Sequence, residues 1–255
     1  TFSDILSAAA RGWCARKVDE PVFSLAIPMD GVDPLCQLPV LADNEQFRFL
    51  WDGAPGRSLA ATGRCQHLDL SGSRRFELAQ RFCDVTLGRL IDVTPEASAY
   101  CSPRMLFAFS FFEQTSERKR LHVSIPGVQA VLPRWQLSRQ GRKSWLRLNA
   151  VATHQSETRE LVEKLWLMRK SLIRTSQKQE FIFSTNGSKM SLPKQWQDCY
   201  RPALLRGIDL VNKGILDKLV LAVRQSILLD APLDPLAMLS RLRGQQLGSC
   251  RFLWQ

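Results

Sequence analysis

The sequence lacks any run of 18 or more apolar residues, and it does not begin with a cationic stretch followed by an apolar block. The first absence excludes a membrane-spanning helix, and the second gives no indication of an export signal. Its seven cysteines form no C-x-x-C pair, and its three histidines lie far apart without metal-ligand spacing. This pattern argues against a disulfide framework or a zinc site, and it predicts a cytoplasmic protein with reduced thiols.

The charge balance is strongly basic, with 35 Lys and Arg against 24 Asp and Glu and a net charge of +11. A basic chain can bind nucleic acid when aromatic residues are interleaved with arginine. Here the basic residues occur in short groups among acids, and no zinc-finger, RNP-like or basic-zipper pattern is present. We therefore expect no nucleic-acid partner, although the excess charge would suit a small anionic ligand.

Residues 1–152 are dense in strand patterns. Helical periodicity predicts helices at 1–15 and 74–90. The strongly aromatic stretch 105–112 predicts a buried central strand, and 133–143 predicts a surface hairpin. The remaining predicted strands are 21–27, 47–51, 58–63, 128–132 and 144–151. Because strands and helices do not alternate regularly, this half favours an α+β fold with a large mixed or antiparallel sheet layer and packed helices.

Residues 153–255 have a different character, so we place a boundary between 1–152 and 153–255. Helical spacing predicts a helix from 156 to 172 and another that ends at Gly214. Asp234 and Pro235 predict the start of a further helix that ends near Gly244. Apolar, β-prone runs predict strands at 219–223 and 250–255.

Lys218 stands at the start of the apolar run 219–223, four residues after the predicted helix stop. On a strand, Lys218 would share a face with Val220 and Ala222. Loss of water around its ammonium group would favour the neutral amine, which can act as a base. The alternative is a lysine that extends into solvent, and the residues alone favour that alternative.

The segment around Lys218, LDKLVLAVR at 216–224, resembles the K-V-V-L-A-R-type segment of chorismate-utilising enzymes, specifically the isochorismate synthases. Val223 intervenes before Arg224, where the family has arginine directly after alanine, so no role is transferred to Arg224. Five further segments resemble family segments in the same order: FLW at 49–51, SLAATG at 58–63, GSRRF at 72–76, FAFSFF at 107–112 and VLPRW at 131–135.

This resemblance implies conversion of chorismate to isochorismate, in which water adds at C2 of the ring while the C4 hydroxyl leaves. Lys218 occupies the position of the family's general base, which activates the water. Relatives that use ammonia, such as anthranilate synthases, have glutamine there, so the lysine favours water as the nucleophile. Salicylate synthases share the lysine and then eliminate pyruvate, which makes them the alternative enzyme. A non-catalytic chorismate-family binding module is a second alternative.

The resemblance also implies that the general-acid glutamate, the Mg²⁺-binding glutamates and the groups that hold the chorismate carboxylates lie beyond Gln255. We therefore expect an amino-terminal portion of the family fold, truncated at its C-terminal side and inactive by itself. Residues 153–255 would begin the chorismate-binding catalytic half. For the complete enzyme, the resemblance implies chorismate as the partner, Mg²⁺ as the cofactor, a monomer, and a role in menaquinone or phylloquinone biosynthesis.

Overall fold

A computed structural model describes residues 1–42, 45–53, 56–94, 100–111, 126–178, 190–191, 196–222, 228–229 and 232–255. The helices in these ranges are α1 (Phe2–Cys14), α2 (Pro34–Leu41), α3 (Arg75–Gly88), α4 (Gln155–Lys178), α5 (Trp196–Asn212) and α6 (Pro235–Gln245). The strands are β1 (Val22–Asp30), β2 (Arg48–Gly53), β3 (Arg57–Leu70), β4 (Leu90–Val93), β5 (Leu106–Phe109), β6 (Val128–Gln140), β7 (Lys143–Val151), β8 (Met190–Ser191), β9 (Leu228–Leu229) and β10 (Arg251–Trp254).

Most of the strands form one large sheet in the order β10-β2-β3-β6-β7-β1-β4, and β5 pairs with β6 beside this path. The neighbouring strands are antiparallel, except that β1 and β4 run parallel. The strands β8 and β9 form a separate antiparallel pair. The predicted α+β class with a large mixed sheet is therefore confirmed.

The chain divides into two compact units. The first comprises Thr1–Ile182 and Leu239–Gln255 and contains the large sheet. The second comprises Phe183–Met238 and contains α5 and the β8–β9 pair. The division at residue 152 concerns the start of a catalytic half, and it stays a prediction. Among the described residues, no helix is long and apolar enough to cross a bilayer.

Helices α1, α2 and α4 form one layer of the first unit, where α4 contacts both α1 and α2. The predicted N-terminal helix is confirmed as α1, which begins with a capping box between Thr1 and Asp4. Its apolar stripe buries Ile5, Ala9 and Trp13. This burial anchors the helix to the sheet layer, because each side chain faces the core at helical spacing.

Helix α2 was not predicted, since a proline-rich segment favours turns and loops. Its start is nevertheless stabilised by Asp33, whose carboxylate accepts the Leu35 N–H at 3.1 Å, and by Pro34 in the first turn. Pro39 lies inside this short helix. Leu35 and Leu38 are buried, so tertiary packing outweighs the weak helix propensity of the segment.

The predicted hairpin is present, because β6 and β7 pair antiparallel around a turn at Gly141, whose φ is +59°. Its connection is shorter than the predicted 133–143, since β6 continues to Gln140. Pro133 misled the prediction, since proline cannot donate to a strand ladder. In the structure Pro133 faces Arg64, next to a register shift between Arg64 and Gln66 in β3. A bulge of this kind accommodates the missing N–H donor.

The glycine of the SLAATG segment lies just before this bulge. Gly63 has a φ of +65°, and a Cβ at this position would lie 2.6 Å from the Glu45 carboxylate carbon. Glu45 also forms an ion pair with Arg134 at 3.3 Å. The preceding Thr62 is buried and donates its hydroxyl to the Leu41 carbonyl at 2.9 Å. The segment therefore fixes the contact between β3 and α2.

The strand predicted at 105–112 is present as β5 (Leu106–Phe109), but the prediction that it is central and buried is wrong. The strand β5 is short and pairs only with β6 among the described residues. Its Phe107 and Phe109 are 38% and 44% exposed, and Phe109 stacks on Phe76 of α3 at 5.0 Å between ring centroids. An aromatic run indicates burial from composition alone, whereas the exposure of a strand depends on which other elements pack over it. Phe112 lies outside the described residues.

Candidate functional site

The predicted end of a helix shortly before Lys218 is present in the structure. Helix α5 ends at Asn212, and Gly214 follows in the left-handed region with a φ of +66°. The Gly214 N–H donates to the Val211 carbonyl at 3.0 Å, and the Ile215 N–H donates to the Leu210 carbonyl at 3.1 Å. These bonds satisfy carbonyl groups at the end of the helix and turn the chain away from its axis.

The chain from 216 to 222 has no regular secondary structure. The strand predicted at 219–223 is therefore wrong up to Ala222, and Val223 and Arg224 lie outside the described residues. A strand requires a neighbouring ladder. Among the described residues, this segment pairs with none. Lys218, Val220 and Ala222 are exposed, so the expected burial of Lys218 against these two side chains is not found.

Contacts with α5 nevertheless hold the residue next to Lys218. Leu219 packs over Gly207, where an added Cβ would lie 2.6 Å from Leu219 Cδ2 and 3.8 Å from Leu221 Cδ1. Leu219 and Leu221 also line an apolar cavity of about 180 Å³ with side chains of α5. The missing side chain at Gly207 therefore permits the close approach of the Lys218 segment to the helix.

The amine of Lys218 has no hydrogen-bond or ion-pair partner within the described ranges. Lys213 differs, because it forms an ion pair with Asp209 at 2.6 Å one helical turn away. Both lysines lie near the end of α5 and both are exposed. The two side chains are therefore both exposed to solvent, but only the Lys213 amine forms an ion pair within the described residues.

A group of charged side chains forms a second polar centre, in the first unit. Arg243 of α6 binds Asp33 at 2.5 and 3.2 Å, and it binds Asp52 of β2 at 2.9 and 3.0 Å. Arg251 of β10 binds Asp52 at 3.0 Å. Burial opposes the charge on Arg243, but the hydrogen bonds that it donates to the Asp33 and Asp52 carboxylates outweigh this effect and raise the pKa of the guanidinium. We call Asp33, Asp52, Arg243 and Arg251 the ionic cluster.

The thiol beside this cluster is a poor nucleophile. Burial, together with the charge of Asp33, raises the pKa of Cys36 to about 11. Burial likewise raises the pKa of Cys65 to about 11. Both groups remain protonated at neutral pH, and a thiol reacts through its thiolate. These cysteines therefore do not extend the candidate chemistry beyond Lys218.

A family model described as chorismate binding enzyme matches residues 7–255. The chain belongs to this family. The predicted family resemblance is therefore confirmed, and the match includes both the β3 bulge segment and the segment around Lys218.

This chorismate-binding enzyme also shares its fold with MenF, the menaquinone-specific isochorismate synthase from Escherichia coli. The solved MenF structure matches with a TM-score of 0.53 and 17% sequence identity. The match covers 98% of this chain and 52% of the MenF chain, so this chain spans about half of that length. At this identity the likeness shows the fold alone. A search of curated proteins gives no match.

The sequence of this chorismate-binding enzyme points to Lys218, whose role stays a prediction, and it gives no indication of the ionic cluster. Three members of the cluster lie in β2, α6 and β10, and the fourth, Asp33, is the residue that caps α2. No sequence spacing connects residues so far apart in the chain. An Asp directly before a helix-starting Pro was the one available signal, and it indicates a helix cap rather than an ion pair.

Proposed function

We propose that this chain provides the general base of an isochorismate synthase, which adds water at C2 of chorismate while the C4 hydroxyl leaves. One observation carries the proposal: the family match covers the segment around Lys218, which resembles the lysine segment of the family. The amine of Lys218 has no partner within the described ranges, so it is available to contact water and substrate. Family membership supports chorismate as the substrate class.

In this reaction the neutral amine of Lys218 accepts a proton from water as the oxygen bonds to C2. The ring double bonds shift, and an acid donates a proton to the departing C4 hydroxyl. A positioned base or acid typically contributes about 10² to 10⁴-fold to the rate. We assign no residue of this chain to the role of the acid.

Mg²⁺ is the cofactor that the family resemblance implies. It prefers an octahedral set of oxygen ligands, including carboxylates. In the described parts of the chain, no group of three or more His, Cys, Asp or Glu side chains could hold a metal ion. These residues therefore do not fit a Mg²⁺ site, and the role proposed for Lys218 is independent of one.

Product analysis tests this proposal. The natural gene product that carries this chain is incubated with chorismate, and the products are separated and identified by NMR. We expect isochorismate as the product. Salicylate with pyruvate would instead favour a salicylate synthase, which shares the lysine. Unchanged chorismate would contradict both activities and favour a non-catalytic binding module.

If Lys218 is the base, the contact between Gly207 and Leu219 positions it. Gly207→Ala should push Leu219 away, because the new Cβ would lie 2.6 Å from Leu219 Cδ2. We expect kcat to fall by roughly 10- to 100-fold with little change in KM, since small displacements of a catalytic group have effects of this size. Steady-state kinetics with chorismate measure the change.

The double variant Gly207→Ala, Leu219→Ala should recover most of the lost kcat, because the smaller side chain leaves room for the new methyl group. Gly244→Ala is the matched control on another helix, where an added Cβ meets no atom within 4 Å. It should leave kcat unchanged. An unaltered kcat in Gly207→Ala, or no recovery in the double variant, would refute the positioning role.

A further inference from the structure

A cavity of about 490 Å³ lies in the first unit, on the sheet face that carries Phe49, Trp51 and Leu59. Strands β2, β3 and β6 form its floor, and the segment 100–106 forms a wall. The Arg104 N–H donates to Gln136 Oε1 at 3.0 Å, which attaches that wall to β6. The volume lies within the range of small-molecule pockets.

The lining of the cavity is largely apolar and aromatic. Phe49 and Trp51 of β2 and Tyr100 of the wall segment supply its aromatic rings. Trp51 is 37% exposed, so part of its ring is available for contact. Flat aromatic walls favour a planar ring as the ligand, because ring stacking adds to the burial of apolar area.

The polar part of the lining is positively charged. No carboxylate is present among the described lining residues, whereas Arg57, Arg104 and Arg139 are. Arg139 is already engaged with Asp33 at 3.7 Å. Among the described residues, Arg57 contacts Tyr100, at 3.5 Å from its hydroxyl and 5.6 Å from its ring centroid. Arg57 and Arg104 have no carboxylate partner in the described parts of the chain.

We propose that this cavity binds a small carboxylate with a planar ring, with the ring on the aromatic walls and the carboxylate at Arg57 and Arg104. Guanidinium groups bind carboxylates through paired, charge-assisted hydrogen bonds. The inference goes beyond the proposed function, because every lining residue belongs to the first unit and Lys218 belongs to the second.

Isothermal titration calorimetry of the natural gene product with benzoate tests this site. A ligand of this size in a partly open pocket should bind with a Kd on the order of 1 mM. Benzamide has the same ring without the negative charge, and acetate has the charge without the ring. Each should bind at least about tenfold more weakly than benzoate, since benzamide lacks the charge that binds arginine and acetate lacks the ring that contacts the aromatic walls.

Arg57→Gln and Arg104→Gln should each weaken benzoate binding by about tenfold or more, as expected for loss of a charged hydrogen-bond partner. Both side chains are exposed, so the variants should keep the parent melting temperature. Arg159→Gln is the control, because Arg159 is exposed on α4 and pairs with Glu163 at 3.0 Å. Absence of saturable benzoate binding, equal affinity for benzamide, or unaffected binding in both arginine variants would overturn the proposal.

Discussion

Lys218→Gln is expected to lower kcat for chorismate by about 10² to 10⁴-fold while KM changes little. Glutamine keeps much of the side-chain length, but its amide cannot accept the proton of water as an amine does. Because Lys218 is exposed, its replacement should not unfold the protein, so a loss of folding would not account for such an effect. Steady-state kinetics of the natural gene product, with a melting curve for each variant, give the measurement.

Lys213→Gln is the matched control for this experiment. Lys213 lies five residues before Lys218, and its ammonium group is held by Asp209 at 2.6 Å. Its replacement should leave kcat and KM nearly unchanged, since an exposed ion pair on a helix contributes little. Near-normal turnover in Lys218→Gln, or equal losses in both variants, would remove Lys218 from the role of base.

Arg243→Met is expected to lower the free energy of unfolding by about 2 to 4 kcal/mol, because it removes the cation shared by two partly buried carboxylates and leaves each with fewer partners. Asp52 is only 9% exposed and would keep Arg251, whereas Asp33 would keep the more distant Arg139. The change also releases α6 from α2 and β2. Urea unfolding monitored by circular dichroism measures the loss.

Arg74→Met provides the comparison for the ionic cluster. Arg74 binds Glu77 through two hydrogen bonds of 2.8 and 3.0 Å, but both side chains are more than half exposed. Its removal should change the stability of the chain little, since water screens and replaces such a pair. If Arg243→Met were as mild as Arg74→Met, the ionic cluster would not be an anchor of α6.

The end of α5 before Lys218 and the start of α6 were predictable, because the residues that determine them are close together in the sequence. Gly214 adopts the left-handed conformation that ends α5, and Asp234 accepts the Leu236 N–H at 2.9 Å at the start of α6. Both arrangements depend on residues within one turn of each other. Periodicity likewise predicted α1 and α3, since their apolar residues repeat along the chain.

The features that were predicted incorrectly depend on contacts between residues that are distant in the sequence. Pro133 fits within β6 because of a bulge in β3, and helix α2 forms because its leucines are buried by other elements. The apolar segment after Lys218 resembles a strand, yet the described part packs on α5 through Gly207. Burial and pairing partners decided each case, and a single sequence does not display them.

The family resemblance was predictable because short segments carry it, but the geometry of those segments was not. SLAATG contains the left-handed Gly63 at a bulge, which a motif comparison does not reveal. The aromatic segment after Met105 forms the border strand β5 and leaves Phe107 and Phe109 partly exposed. Segment order thus identified the fold class, while neighbouring elements determined which faces are open.

The most direct test of the central claim is the chorismate reaction carried out in ¹⁸O-labelled water. If this chain provides the base that activates water, the isochorismate formed should contain one ¹⁸O atom, located in the C2 hydroxyl. The label should appear far more slowly with the Lys218→Gln variant and at the normal rate with Lys213→Gln. Isochorismate without the label, or labelled product at the same rate from the Lys218→Gln variant, would contradict the account.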